Sequence, residues 1–260
     1  MKTLVFALIL VALLVVFLLR KPVGPLSLQT SGVQMFHVLN PVEVETLRNL
    51  DNKTLKETLQ TNPRILQVIA ENVGPGYVFQ DYVFIFKKSS IHTCHRDANG
   101  DLFNKGQRHP SYTVIVFLEG SDTSCLEVVP GSHDGRPLNF GGTTGVPCQA
   151  GDMILFDANV VHAGVIGPDR LRVQMKVTHE EDRETIGYYE NYNKVSQRDN
   201  IVPELFKGLQ QGFTCATPFL ADMFQDEVKQ SYTDKVSEHQ KVYSKLFYGS
   251  EDFYKLPDAF

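Results

Sequence analysis

A histidine and an aspartate stand one residue apart in the segment CHRDANGDLF, which begins at Cys94. The order His95-Arg96-Asp97 also opens the catalytic loop of protein kinases. That loop requires an Asn five residues after the Asp, where this chain has Leu102, and also a Gly-rich loop and a DFG motif, which the sequence lacks. We therefore exclude a kinase. Alternate side chains of a β-strand point to one face, so His95 and Asp97 are predicted to bind one metal ion together.

His162 is the best candidate for the third ligand that such a site needs. It follows a Gly-Asp turn and an apolar strand predicted at residues 153–156, and it begins the segment HAG before another strand. A histidine and a carboxylate on one strand, with a second histidine on a later strand, are typical of Fe(II) sites that keep three coordination positions open. The absence of a cysteine ligand argues against structural zinc. His133, in the segment PGSH, is predicted to be a loop residue rather than a ligand.

If 2-oxoglutarate and O2 occupy the open positions, the far carboxylate of 2-oxoglutarate needs a buried cation. Arg172 lies ten residues after His162 in the segment LRVQMKVT. The alternation of that segment places Arg172, Gln174, Lys176 and Thr178 on one face and Leu171, Val173, Met175 and Val177 on the other. Arginine suits this role because its planar guanidinium binds a carboxylate through two parallel hydrogen bonds. Arg170, on the same face but nearer the turn, is the second candidate.

The neighbours of the first two ligands are assigned simpler roles. Arg96 projects away from the ligand face of a regular strand, so we expect it at the surface or in a salt bridge near the site. Cys94 is expected to be a packing residue, because cysteine often behaves as a small buried hydrophobe. The four cysteines permit disulfides without requiring them.

Short apolar segments dominate the chain from Tyr77 onward and are separated by Gly, Pro, Asp and Asn. They read YVFIF, YTVIVFL, CLEVV, MILF, VVHAGVI and LRVQMKV. This spacing indicates an all-β barrel or sandwich. Capped helices are predicted after Asn40-Pro41 and over residues 61–71, and a further helix is predicted over residues 225–247.

The charge balance excludes one class of partner. The chain carries 25 basic and 30 acidic side chains, a net charge of -5, and no cluster of Lys and Arg. Binding to a phosphate backbone depends on such a cluster. We therefore expect no nucleic-acid partner.

An unbroken apolar run, LVFALILVALLVVFLL, occupies residues 4–19 and is followed by Arg20 and Lys21. As a helix it would extend about 24 Å, close to a bilayer core. No small-residue cleavage site follows it, which favours a retained signal anchor over a removed signal peptide. The sequon at Asn52 and a disulfide between Cys125 and Cys148 would favour the secretory lumen. We therefore predict a single-pass membrane protein with a lumenal catalytic domain.

The order of the motifs resembles the phytanoyl-CoA dioxygenase-like branch of the Fe(II)/2-oxoglutarate-dependent oxygenases over about residues 82–178. The motifs are His95-x-Asp97, YTVIVFLEG, CLEVVPGSHDG, GDMILFDANVVHAG and Arg172. The resemblance implies a mainly β fold with flanking helices around a double-stranded β-helix, the jelly-roll or cupin-like core. It also implies that His95, Asp97 and His162 bind Fe(II) and that Arg172 binds 2-oxoglutarate. The implied enzyme is a dioxygenase that hydroxylates its substrate with O2 and releases succinate and CO2.

The predicted organisation is an anchor and linker over residues 1–24 and one oxygenase domain over residues 25–260. Within that domain the β-helix core spans about residues 77–180, and residues 181–260 form a helical and irregular extension. The resemblance does not reach the extension, so the substrate stays open among lipids, peptides and small molecules.

Other functions remain as alternatives. Asp97 argues against a halogenase, in which that carboxylate is missing. A non-catalytic jelly-roll binding module, a zinc-dependent hydrolase and a prolyl- or lysyl-type protein hydroxylase stay open. Collagen-type prolyl hydroxylases usually have a lysine where Arg172 stands, whereas lysyl hydroxylases have an arginine.

Overall fold

Nine strands and six α-helices make up the part of the chain that the computed structural model describes. The described residues are 25–87, 91–97, 106–139, 141–167, 170–186, 190–196, 201–220, 238–251 and 260. The helices are α1 (Leu28–Ser31), α2 (Pro41–Arg48), α3 (Asn52–Gln60), α4 (Pro63–Val73), α5 (Glu204–Ala216) and α6 (Glu238–Tyr248). The strands are β1 (Val33–His37), β2 (Tyr77–Phe86), β3 (Tyr112–Phe117), β4 (Ser121–Val128), β5 (Thr144–Cys148), β6 (Asp152–Asp157), β7 (His162–Gly164), β8 (Arg172–His179) and β9 (Tyr192–Ser196).

The strands form two sheets. The larger has the order β1-β6-β3-β8-β2-β9, and the smaller has the order β5-β4-β7. This arrangement confirms the prediction of a mainly β jelly-roll core with flanking helices. Each of the six predicted apolar segments contributes to a strand, whereas β1, β5, β9, α1, α3 and α5 were not predicted. Strands β1 and β9 lie outside residues 77–180, yet both belong to the larger sheet.

The early helices cover the outer face of the larger sheet. Helix α2 begins where the sequence predicts it, because Asn40 and Glu43 form a capping box and Pro41 occupies the first turn. The apolar faces of α3 and α4 pack on the side chains of β8 that point outward, with Leu59 and Ile65 fully buried. The outward residues of β8 are Val173, Met175 and Val177. The predicted alternation of LRVQMKVT is therefore confirmed.

A second apolar core fills the space between the two sheets. Ile115, Phe117 and Phe156 of the larger sheet pack against Leu126 and Val128 of the smaller one. A disulfide between Cys125 and Cys148 joins β4 to β5 within this core. The site residues described below lie between the same two sheets, so the core determines where their side chains point.

The predicted membrane anchor must be corrected. Residues 4–19 lie outside the described residues. In the described part of the chain, no helix is both long enough and apolar enough to cross a bilayer. The longest described helix, α5, has 13 residues, and a span needs about 20. This finding overturns the predicted membrane partner, the single-pass topology and the lumenal localisation. The helix predicted over residues 225–247 lies partly outside the described residues, and its end is present in α6.

Candidate metal centre

The two candidate histidine ligands lie side by side on neighbouring backbone segments. The N–H of His95 donates to the carbonyl of His162, and the N–H of His162 donates to the carbonyl of His95, each at 2.9 Å. This antiparallel bridge places the centroids of the two imidazole rings 4.4 Å apart. The smaller sheet positions His162 through β7, and the bridge then positions His95.

Asp97 completes the group of three ligands predicted from the sequence. One of its carboxylate oxygens, Oδ1, lies 3.7 Å from Nε2 of His95 and 3.7 Å from Nε2 of His162. Two atoms that each bind an ion at about 2.1 Å are separated by roughly 3 to 4.2 Å, depending on the angle between the bonds. The spacing therefore allows the three side chains to share one cation. Two imidazoles and one carboxylate suit ferrous iron.

Backbone carbonyl groups determine which nitrogen of each histidine faces the site. Nδ1 of His95 lies 3.0 Å from the carbonyl oxygen of Thr93, and Nδ1 of His162 lies 2.9 Å from that of Val160. A carbonyl oxygen only accepts, so each Nδ1 carries the proton and donates. Each Nε2 then presents its lone pair to Asp97 Oδ1 and to the space for a metal. Such contacts orient histidine ligands in metal sites.

The second oxygen of Asp97, Oδ2, is held by three donors. It lies 2.7 Å from Nζ of Lys176, it accepts a hydrogen bond from the Thr113 hydroxyl at 2.7 Å, and it accepts another from the Gln174 amide at 3.1 Å. Lys176 also donates to the Thr113 hydroxyl at 2.7 Å. Because Oδ2 is occupied by these contacts, Oδ1 is the oxygen presented to the two histidines.

The charges of the buried groups favour metal binding at neutral pH. Burial lowers the pKa of His162 to about 4 despite the opposing charge of Asp97, so its imidazole is neutral at pH 7. Burial alone would raise the pKa of Asp97, but the charge of Lys176, joined by those of His162 and His95 when their rings are protonated, holds it well below its usual range. A neutral imidazole and an ionised carboxylate are the forms that bind a cation.

A family model shows the family to which this chain belongs. The model of the phytanoyl-CoA dioxygenase (PhyH) family matches residues 26–165, more than half of the chain, and this range contains all three candidate ligands. The chain belongs to the phytanoyl-CoA dioxygenase family. It is therefore a 2-oxoglutarate-dependent oxygenase, with iron as its metal and 2-oxoglutarate and O2 as co-substrates.

Several solved structures are similar to this family member at low sequence identity. They include the non-heme monooxygenase ThoJ in a nickel complex, with 16% identity, a TM-score of 0.47, and coverage of 58% of this chain and 75% of that one. The α-ketoglutarate-dependent epimerase SnoN from nogalamycin biosynthesis has 20% identity and a TM-score of 0.47, with coverage of 58% and 78%. HygX from Streptomyces hygroscopicus, bound to nickel, 2-oxoglutarate and hygromycin B, has 16% identity and a TM-score of 0.42, with coverage of 58% and 84%. No curated protein matches the chain.

The PGSHDG segment of this phytanoyl-CoA dioxygenase family member holds the backbone of the residue that precedes His162. The hydroxyl of Ser132 accepts the N–H of Val161 at 2.8 Å and donates to the carbonyl of Val129 at 2.6 Å. It therefore holds the residue that precedes His162. His133 follows Ser132 in this turn and is not part of the ligand group, as predicted. The role of Ser132 was missed, because a backbone contact leaves no signal in residue spacing.

Arg96 differs from the prediction. It is almost completely buried, and its guanidinium donates to the carbonyl oxygens of Asn159 at 2.9 Å and Arg136 at 2.7 Å. The expectation of a surface arginine assumed a regular strand with solvent on its far side. The segment instead forms an isolated bridge to β7 at His95, and the loops that hold Asn159 and Arg136 cover its other face.

Arg172 lies beyond the family match but on the inner face of the larger sheet. It pairs in register with Phe86 on β2 and Phe117 on β3, and its guanidinium lies 4.1 Å from the centroid of the Phe86 ring. Gln174, two residues further along β8, contacts Asp97. Two residues of a strand span about 7 Å. Arg172 is therefore about one dicarboxylate length from the metal ligands, and it is buried.

A second group of three metal-binding residue types lies elsewhere in the described part of the chain, at His109, His179 and Glu181. The two imidazole rings are stacked, with centroids 3.8 Å apart and an interplanar angle of 27°. Stacked rings direct their lone pairs along similar directions instead of toward one point. Nδ1 of His179 also accepts the N–H of Glu181. We therefore treat this group as a polar surface contact, not as a metal site.

Replacing Lys176 by Met is expected to lower the free energy of unfolding of the metal-free protein by about 3 to 5 kcal/mol, because it leaves the buried carboxylate of Asp97 without its cation. Urea denaturation measures this change. The Asp97→Asn/Lys176→Met double variant, which removes both charges, should recover part of the loss. Lys56→Met is a matched control, since its partner Asp81 is 35% exposed, and should cost about 1 kcal/mol or less. Equal losses in the two single variants would contradict the prediction.

Proposed function

We propose that this chain is an Fe(II)- and 2-oxoglutarate-dependent hydroxylase in which His95, Asp97 and His162 bind the iron. The observation that carries the proposal is the position of Asp97. Its Oδ1 lies 3.7 Å from Nε2 of each histidine, while three donors hold its Oδ2. Three ligands on one side of the ion leave positions for the co-substrates on the other.

We further propose that Arg172 binds the far carboxylate of 2-oxoglutarate. Its support is its burial, its place on the same strand face as Gln174 and Lys176, and its apolar neighbours Phe86 and Phe117. A charge-assisted hydrogen bond is stronger where water is excluded. The guanidinium would therefore fix one end of the co-substrate while the other end reaches the metal.

The bound iron would supply the oxidative decarboxylation of 2-oxoglutarate that is coupled to substrate hydroxylation. The chain's own residues orient the reactants. The carbonyl groups of Thr93 and Val160 fix the two imidazoles, and Lys176 with Thr113 and Gln174 fixes the carboxylate. Fixing the ligands before the substrate arrives reduces the reorganisation needed during the reaction.

We also propose that residues 25–260 act as one oxygenase domain, including the extension after residue 180. Strand β9 of the extension pairs with β2 in the larger sheet. Helix α5 of the extension is linked by a disulfide, Cys94–Cys215, to the residue that precedes His95. An extension with its own separate function would not need these contacts.

The test of the proposed function is succinate release by the full chain. The purified protein is supplied with Fe(II), 2-oxoglutarate and O2 and is screened against pools of lipids, peptides and small metabolites. We expect succinate to form only when both Fe(II) and 2-oxoglutarate are present, and to rise with one class of substrate that gains one oxygen atom. Mass spectrometry identifies that product. Binding of zinc in preference to iron, with no succinate in any pool, would instead favour the zinc hydrolase or the binding module.

A further inference from the structure

The two C-terminal helices, α5 and α6, lie outside residues 26–165 that the family model matches. Both nevertheless contact residues 91–94, which lead into the ligand His95. The family match therefore does not assign these helices a role, and their contacts with the ligand segment raise the question of what they do there.

Helix α5 fixes the residue that precedes His95 in two ways. The backbone N–H of Cys94 donates to the hydroxyl of Thr214 at 2.9 Å, and the side chain of Cys94 forms a disulfide with Cys215. All three residues are buried. Two consecutive residues of one helix thus hold the backbone and the side chain of the same residue.

The same face of α5 also contacts the strand that carries the other histidine. The amide of Gln211 donates to the carbonyl of Gly164 at 3.0 Å, two residues after His162. Gln210 forms a hydrogen bond of 2.8 Å with the ring of His92. Residues 210, 211, 214 and 215 share one face because they are spaced by one and four positions on a helix. This face therefore contacts the segments of both histidine ligands.

Helix α6 adds a second contact to the segment before His95. The hydroxyl of Tyr248 is hydrogen bonded to the hydroxyl of Thr93. The backbone carbonyl of Thr93 in turn accepts the Nδ1–H of His95. Tyr248 is completely buried and packs with Ile91. The residue that orients the imidazole is thus itself held by α6.

These contacts matter because residues 91–97 do not form a regular strand. The segment joins β7 through the bridge between His95 and His162 and through one further bond, from the N–H of Gly164 to the carbonyl of Ile91 at 2.7 Å. Between these two points, the described residues 92–94 make no backbone bond to β7, so the ladder that normally fixes a strand in a sheet is interrupted there. The position of the His95 imidazole relative to His162 therefore depends on the contacts made by residues 91–94.

We propose that Thr214 and the Cys94–Cys215 disulfide are positioning elements of the metal centre, and that α5 sets the metal affinity by holding His95 in place. This inference rests on the proposed metal site. It assigns the extension a role in arranging the ligands, in addition to any contribution to stability.

The first experiment compares Thr214→Val with Thr214→Ser in the full-length protein. Valine has a similar shape but leaves the Cys94 N–H without its acceptor, whereas serine keeps the hydroxyl. We measure the Kd for Fe(II) without oxygen by calorimetry, the absorption spectrum of bound Co(II), and the thermal midpoint. We expect Thr214→Val to bind Fe(II) about tenfold more weakly, in the range typical of residues that support metal ligands, with an altered Co(II) spectrum. Thr214→Ser should remain close to the unchanged protein in both its Kd for Fe(II) and its Co(II) spectrum.

The second experiment compares the two disulfides. Cys94→Ser/Cys215→Ser and Cys125→Ser/Cys148→Ser each remove one bridge, and both are expected to lower the thermal midpoint. Only the first pair should weaken Fe(II) binding, again by about tenfold, because that bridge is bonded to the residue next to His95. The second bridge joins β4 to β5 and reaches His162 only indirectly, through the pairing of Val128 on β4 with His162.

The outcomes separate this inference from the function on which it rests. If the unchanged protein does not bind Fe(II), the proposed metal site fails. If it binds Fe(II) and Thr214→Val binds it equally well, only the positioning role fails. Equal weakening by both disulfide variants would show a general loss of stability and would also overturn the positioning role.

Discussion

Replacing His162 by Ala is expected to abolish Fe(II) binding and succinate release. His162 is one of three candidate ligands, and it also holds His95 through the paired backbone bonds between the two residues. Removing the imidazole leaves two ligand atoms, so the metal affinity should fall by more than the ten- to hundredfold seen for residues that only support ligands. Metal analysis after dialysis measures the iron content, and a coupled succinate assay measures turnover.

His133→Ala is the matched control for this experiment. His133 belongs to the adjacent turn and not to the ligand group, so its removal should leave the iron content near one ion per chain. Thermal unfolding of the metal-free variants shows whether each one folds. Iron retained by His162→Ala at the level of the unchanged protein would refute the proposed ligand set.

Replacing Arg172 by Gln is expected to raise the KM for 2-oxoglutarate by about 100-fold or more while leaving the iron content unchanged. Hydrogen bonds to a charged group contribute about 1.5 to 3 kcal/mol each, and a guanidinium makes two with a carboxylate. The loss of both therefore corresponds to at least about 3 kcal/mol, or roughly two orders of magnitude in affinity. Arg172→Lys keeps the charge without the planar pair of donors and should have an intermediate KM.

Arg170→Gln discriminates between the two arginines at the start of β8. The guanidinium of Arg170 donates to the carbonyl of Ser124 at 3.3 Å, away from the ligand group. We expect its replacement to change the KM for 2-oxoglutarate less than threefold. A large rise in KM for Arg170→Gln, with none for Arg172→Gln, would transfer the role to Arg170.

The proposed ligand group could be found in the sequence because metal chemistry restricts both the residue types and their spacing. His95 and Asp97 are separated by one residue, so a single local extended segment directs both to one point. His162 could be found from its place between two apolar segments. The same period of two placed Arg172, Gln174 and Lys176 on one face of β8. The structure agrees, because Gln174 and Lys176 contact Asp97 whereas Val173, Met175 and Val177 pack in the core under the helices.

The membrane prediction depended on the apolar run over residues 4–19, which lies outside the described residues. The described structure contains no helix able to cross a bilayer, and its apolar helix faces are used to cover a sheet.

The contacts that support the ligands were beyond local sequence patterns. The partner of Asp97 Oδ2 depends on the register that places Thr113 opposite Lys176, and a slip of one residue would turn Lys176 to the outer face. Cys94 and Cys215 are separated by 121 residues, so their pairing depends on where α5 packs. Arg96 became buried because two distant loops meet above it.

The sequence alone therefore determined the family of this protein and the proposed ligand set: the residue types, their order along the chain and the strand faces that carry them. The tertiary structure alone decided which oxygen of Asp97 faces the histidines, which groups hold the ligands, and that the C-terminal helices contact them. The physical reason is one of range. Residue type and strand period act over a few neighbouring positions, whereas register, helix packing and disulfide pairing depend on the packing of segments that are far apart in the chain.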